Sequence, residues 1–153
     1  MQRRTFMKGT LAASSVAVAV SAGLLSPRAV LAAWPTAAFE AKSVPDALNA
    51  LGAATTTASG DIQIKAPDIA ENGAVVPVTV QTSIAGVTSI SILAEKNGIP
   101  LTSNFNLKGS AQGFIATRIK MQKTSAVIAV VKAGGKAYSA RKDVKVTIGG
   151  CGG

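Results

Sequence analysis

The chain contains no histidine, which removes the commonest general base, the usual nitrogen ligand for a metal and the ordinary activator of a serine or cysteine nucleophile. Self-contained hydrolases of the common kinds are thereby set aside. Cysteine occurs once, at Cys151, so no internal disulfide can form and stability has to come from packing. The acids number only seven, Glu40, Asp46, Asp61, Asp68, Glu71, Glu95 and Asp143, and they are scattered over turns and segment ends. They read as caps and solvated loop positions, with no catalytic residue and no metal site among them. One Trp, one Tyr and no basic run longer than Arg141-Lys142 leave no footprint for a nucleic acid. A phosphate loop also fails: Gly149-Gly150-Cys151-Gly152-Gly153 has no helix after it and lacks the Lys and Ser/Thr positions such a loop needs. No cofactor is expected.

What is present begins with a leader. Arg3-Arg4-Thr5-Phe6-Met7-Lys8 stands before an uncharged stretch from Gly9 to Pro27 rich in Ala, Ser and Val, the pattern of a twin-arginine export signal. A membrane anchor is the alternative, since the run approaches the roughly 20 residues needed to span a bilayer. Its many small residues make it only weakly apolar, however, and Val30-Leu31-Ala32-Ala33 offers small residues to a signal peptidase. The expected organisation is a signal peptide over 1–32, cleaved after Ala32 or Ala33, a single domain over 33–148 and a glycine-rich terminal arm over 149–153. Export places the mature chain in the periplasm, off the membrane, and this route moves chains that are already folded. The leader carries Arg3, Arg4, Lys8 and Arg28 and no acid, so its removal lowers the formal charge from +9 to +5. That excess modestly favours anionic ligands or acidic partner surfaces.

Ser43-Val44-Pro45-Asp46-Ala47-Leu48-Asn49-Ala50-Leu51-Gly52 predicts one short helix, with a capping Ser, Pro and Asp in the first turn and a terminating Gly. Everything after it reads as β. The predicted strands are 62–66, 75–81, 88–93, 105–107, 113–121, 125–132 and 136–148, several with period-two alternation. Glu71-Asn72-Gly73, Lys96-Asn97-Gly98 and Ala133-Gly134-Gly135-Lys136 supply turns, since Gly and Asn tolerate positive φ. About seven short strands at this spacing predict an all-β fold, an immunoglobulin-like antiparallel sandwich of two sheets with a short N-terminal helix. Val127-Ile128-Ala129-Val130-Val131 is apolar throughout, so this strand is either central in the core or covered by another chain.

The terminal pentapeptide is the most unusual feature. After the strand Val144 to Ile148, four glycines surround one thiol, and Gly-rich chain is the most flexible backbone available. From Ile148 to Cys151 an extended chain reaches roughly 10 Å. This suits a thiol delivered into the pockets of other proteins, and it does not suit one that must assemble its own active site. Nothing nearby in the sequence activates the thiol, so activation would come from a partner. The alternative is a frayed terminus with an incidental cysteine, although an odd exposed cysteine is a liability in an exported protein. Prenylation is excluded, because its cysteine stands fourth from the end and Cys151 stands third.

Gly149-Gly150-Cys151-Gly152-Gly153 following such a strand resembles the signature of the SoxY family of thiosulfate oxidation. The resemblance extends through the segments from Ile62 to Val78, Glu95 to Asn97 and Thr117 to Met121, and it covers nearly all the mature chain. One departure is Lys96-Asn97-Gly98-Ile99-Pro100, where relatives often have a proline soon after the Asn; it is expected to touch a turn and not the arm. The resemblance implies an immunoglobulin-like sandwich paired with SoxZ as a heterodimer, with Cys151 as the covalent attachment site and Gly149, Gly150, Gly152 and Gly153 as its arm. It implies a non-catalytic carrier of thiosulfate-derived groups, S-thiosulfonate and persulfide, visited by SoxXA, SoxB and, where present, SoxCD. The apolar strand Val127 to Val131 is a candidate for the SoxZ interface. Two rivals remain at this point: a ubiquitin-like carrier using a C-terminal thiocarboxylate, whose ATP-dependent activation an exported protein does not meet, and an exported interaction domain joined to its partner by an intermolecular disulfide.

Overall fold

Val76-Pro77-Val78-Thr79-Val80 alternates apolar and polar residues, and the computed structural model turns that alternation into a strand whose valines are buried while Pro77 and Gln81 are exposed. The structure describes residues 34–149. The expected leader over 1–32 and Gly150, Cys151, Gly152 and Gly153 lie outside the described residues.

Nine strands and two short helices make up the described part: α1 (Thr36–Glu40), α2 (Val44–Ala50), β1 (Thr57–Ala58), β2 (Ile62–Lys65), β3 (Ile69–Asn72), β4 (Val76–Thr82), β5 (Val87–Ala94), β6 (Leu101–Asn106), β7 (Phe114–Ile119), β8 (Ser125–Ala133) and β9 (Lys136–Ile148). One sheet runs β1-β9-β8-β5-β6, with β3 also paired to β9, and the other runs β2-β4-β7. The two form an immunoglobulin-like sandwich, and every pairing is antiparallel except β1 with β9 and β3 with β9. Each of the seven expected strands is present, most within a residue or two of its expected bounds. The short strands β1 and β3 and the five-residue α1 are additions. β3 was read as a turn at Glu71-Asn72-Gly73 because its partner, the end of β9, lies 76 residues away and no local pattern announces it.

Between the sheets lies a core built from the inward positions of both, including Ile62, Val76, Val78, Val80 and Ile119 from the smaller sheet and Ile90, Ile92, Val127, Ala129 and Val131 from the larger. A second apolar cluster forms on the opposite face of the larger sheet, where Leu93, Leu101 and Val130 meet Ala38 of α1, Ala47 of α2 and Ala53. Alanine at those positions lets the short helices lie close to the strands. Ser43 caps α2 as expected, its Oγ accepting from the Asp46 N–H at 3.2 Å, and Pro45 sits in the first turn.

This second cluster decides the Val127 to Val131 question. Val127, Ala129 and Val131 point into the sandwich, Val130 points under the helices, and Ile128 is half-buried beside them. The strand is central and covered on both faces by its own chain, so its nomination as a partner interface is withdrawn.

The turns also differ in mechanism from one another. Gly134 (φ 56°) and Gly135 (φ 75°) close the β8–β9 hairpin with positive φ, as two-residue hairpins require. At Asn72-Gly73 and Asn97-Gly98 no φ is positive, contrary to expectation. There the asparagine side chain organises the turn instead: Asn72 Oδ1 accepts from the Ala74 N–H at 2.9 Å, and Asn97 reaches across to another loop.

Candidate functional site

The site of interest is the root from which the Gly-Cys tail departs. β9 is thirteen residues long, and its pairing with β8 stops at Val144 opposite Ser125. A strand left unpaired beyond that point would fray, yet its last residues are held from several directions. Parallel pairing with β3 sets Ala70 against Val146 and Asn72 against Ile148. The Lys145 N–H donates to the Asp68 carbonyl at 2.9 Å, the Thr147 hydroxyl to the Glu71 carbonyl at 2.9 Å, and the Gly73 N–H to the Ile148 carbonyl at 2.8 Å. From the segment before β8, Thr124 Oγ1 accepts from the Val146 N–H at 2.9 Å. Ile148 itself is 68% exposed, so the main chain and not the side chain is what anchors the strand end.

Gly149 is the last described residue, and it serves the root as well as the arm. A Cβ at this position would overlap the Gln122 carbonyl oxygen, so only glycine lets the two main chains approach this closely. Gln122 is fixed in turn. Its N–H donates to Asn97 Oδ1 at 2.9 Å, its side-chain Oε1 accepts from the Gly98 N–H at 2.8 Å, and Asn97 Nδ2 donates to the Lys120 carbonyl at 2.7 Å. The Met121 N–H donates to the Gly73 carbonyl at 2.7 Å, tying this loop to the turn that binds Ile148. Lys96-Asn97-Gly98 was expected to touch a turn and not the arm; it braces the arm's root through Gln122. Asn97 and Gly73, which the sequence marked only as turn residues, and Gln122, which sequence reasoning did not single out, are therefore positioning residues, and the Lys-Asn-Gly motif was the available signal.

Electrostatics around the root are simple. Lys142 lies 2.9 Å from Asp68 Oδ1, and its hydrogen bond and positive charge hold that exposed carboxyl below its usual range. Arg141 pairs with Glu95 at 3.3 Å. Two of the other acids make local contacts: Asp46 at the start of α2 with Ser43, and Asp61 with Ser59. Among the described residues no group of three or more Cys, Asp or Glu is arranged to hold a metal, and no helix is long and apolar enough to cross a membrane.

The arrangement thus presents a rigid strand end two residues before a thiol. A family model described as "Sulfur oxidation protein SoxY" matches residues 47–151, a span that runs through the root to Cys151. The chain belongs to the SoxY family. The sulfur carrier protein SoxY from Chlorobium limicola f thiosulfatophilum is 45% identical, with a TM-score of 0.63 over 71% of this chain and 96% of that one. A superoxide reductase (neelaredoxin) from Ignicoccus hospitalis is 20% identical, with a TM-score of 0.50 over 56% of this chain and 79% of its own, a likeness of fold alone. No curated protein matches the sequence. Membership in the SoxY family and the likeness to a SoxY sulfur carrier support a sulfur-carrier role for this chain.

Proposed function

We propose that this SoxY-family protein is a periplasmic covalent sulfur carrier, exported by the twin-arginine route, whose working group is the Cys151 thiol. The observation that carries the reading is the braced root: β9 is held by hydrogen bonds as far as Ile148, Gly149 lies close against the Gln122 main chain, and Cys151 follows two residues later. A rigid base with a short glycine-flanked tip brings a thiol to an enzyme pocket while the domain stays outside. With no histidine in the sequence to serve as general base, the chain is read as a substrate of enzymes and not as a catalyst.

In this reading the Cys151 thiolate and thiosulfate are joined by a two-electron oxidation on the haem protein SoxXA. A sulfur–sulfur bond forms, the thiol proton is lost to solvent, and both electrons pass to the haem partner. SoxB then adds water across the terminal bond, releasing sulfate and a proton and leaving a persulfide on Cys151. SoxCD, where present, oxidises that remaining sulfur. Each step uses the nucleophilicity of sulfur and the lability of S–S bonds, and the carrier contributes position only. SoxZ is the constitutive partner, and Gly150, Gly152 and Gly153 complete the arm with Gly149 as its root.

The test is thiosulfate-dependent electron transfer reconstituted from purified components. Cys151→Ser should reduce it to background while the folded domain and its unfolding transition are unchanged. Activity retained by Cys151→Ser would overturn the reading.

A further inference from the structure

Asn-Gly occurs twice in the chain, at Asn72-Gly73 and Asn97-Gly98, and both pairs sit in the turns that hold the arm root. Asparagine before glycine is the dipeptide most open to cyclisation, because the missing Cβ lets the following amide nitrogen approach the side-chain carbonyl. The fold decides which of the reacting atoms stay free. At Asn97 all of them are held: Nδ2 donates to the Lys120 carbonyl at 2.7 Å, Oδ1 accepts from the Gln122 N–H at 2.9 Å, and the Gly98 N–H, on the nitrogen that would attack, donates to Gln122 Oε1 at 2.8 Å. Asn97 is also half-buried.

Asn72 is exposed, and its one side-chain bond among the described residues favours reaction: Oδ1 accepts from the Ala74 N–H at 2.9 Å. A carbonyl bonded to the amide two residues on is folded back over the intervening Gly73, and the donated hydrogen stabilises the negative charge that develops on this oxygen during attack. Nδ2, the leaving nitrogen, has no hydrogen-bond partner among the described residues. One contact stands in the way. The Gly73 N–H donates to the Ile148 carbonyl at 2.8 Å, and Ile148 is the last residue of β9.

We propose that Asn72 is a site of spontaneous, irreversible modification gated by the end of β9, converting to aspartate or isoaspartate when Ile148 leaves Gly73. The Gly73 nitrogen loses its proton to base and bonds to Asn72 Cγ. The bond from Cγ to Nδ2 breaks, and ammonia leaves with a proton taken from solvent. Water then opens the resulting succinimide at either carbonyl, giving aspartate or isoaspartate, with no change of oxidation state. Isoaspartate inserts a methylene group into the main chain at the residue paired with Ile148, so the regular spacing that β3 needs to match β9 is lost there. A modified chain keeps its sandwich but has a loosened arm root, so the modification records how long and how often the root has opened.

The experiment incubates the full mature chain, with Cys151 capped by iodoacetamide, at mildly alkaline pH. Peptides containing Asn72 and Asn97 are followed by mass spectrometry with fragmentation that separates aspartate from isoaspartate. A parallel sample unfolded in urea supplies the rate of each site without the fold, and each native rate is divided by it. On that scale Asn72 should convert about tenfold faster than Asn97, the ratio expected when one hydrogen bond fewer has to open. Thr147→Ala removes the hydroxyl bond to the Glu71 carbonyl that fastens the end of β9 to β3. It should raise the Asn72 rate about fivefold and leave the Asn97 rate unchanged. Three results overturn the proposal: Asn72 as slow as Asn97 in the folded chain, an Asn72 rate indifferent to Thr147→Ala, or both sites accelerated equally by it, which would mark global unfolding as the gate. Capping removes the thiol from the outcome, so the result stands apart from the carrier reading.

Discussion

Gly149 lies so close to Gln122 that a single added methyl group would collide with the Gln122 carbonyl oxygen. The obstacle is main chain, and that main chain is itself held by Asn97, so it cannot swing aside as a surface side chain would.

Gly149→Ala should therefore destabilise the domain by about 1–3 kcal/mol, the usual cost of forcing an extra methyl into a packed site. Urea unfolding should show a lower midpoint with an unchanged slope, since the surface exposed on unfolding is the same. An Ala variant as stable as the parent would mean that Gln122 moves freely and that the root is not braced.

Asn97 makes two bonds to the same loop, as acceptor from Gln122 and donor to Lys120. Asn97→Ala should cost about 1–3 kcal/mol and speed amide exchange at Met121 and Gln122, because a partly buried N–H is left without its acceptor. Asn97→Asp keeps the acceptor but turns an oxygen toward the Lys120 carbonyl, so it should restore protection at Gln122 only in part. Exchange rates at these amides that do not respond to either change would remove Asn97 from the brace.

Val130 is buried beneath the helices, 1% exposed, in contact with a cluster that includes Ala38 and Ala47. Val130→Asp sets a carboxylate there without a partner and should cost more than about 3 kcal/mol, enough to leave the chain largely unfolded. Circular dichroism of the isolated chain decides the point. A well-folded variant that had lost only its partner would return this strand to the interface.

Asp68 contributes a pH dependence whose sign follows from its lowered pKa, caused first by the Lys142 hydrogen bond and then by that residue's charge. A carboxyl depressed in the folded state adds stability above its unfolded value and loses it as pH falls through the folded value. Asp68→Asn should thus lower the urea midpoint slightly at neutral pH and leave it unchanged once the pH is below the folded value. The effect is small because the carboxyl is exposed to solvent. A difference that grows in acid would have the wrong sign.

Much of this fold could be read from local pattern. The valines of β4 alternate, Gly134-Gly135 marks its hairpin, and Ser43, Pro45 and Asp46 frame α2, because each signal needs only neighbours in sequence. The elements that escaped notice depend on distant partners. β3 exists through parallel pairing with β9, α1 is too short to show a period, and the apolar run of β8 needed the helices in place before its second face was accounted for. The site divides the same way: the glycine-flanked Cys151 is conspicuous, whereas the link from Asn97 through Gln122 to Gly149 joins three segments that nothing in the sequence relates.

The central claim is that Cys151 carries sulfur, and the intact mass of protein taken from the periplasm tests it most directly. Measured before and after reduction, with the C-terminal peptide mapped, the mass should show sulfur or thiosulfate additions confined to Cys151, removed by reductant, in a protein that co-purifies with a small subunit. A thiol that stays bare when thiosulfate and periplasmic extract are supplied, or one found only in a fixed disulfide with another protein, would contradict the account.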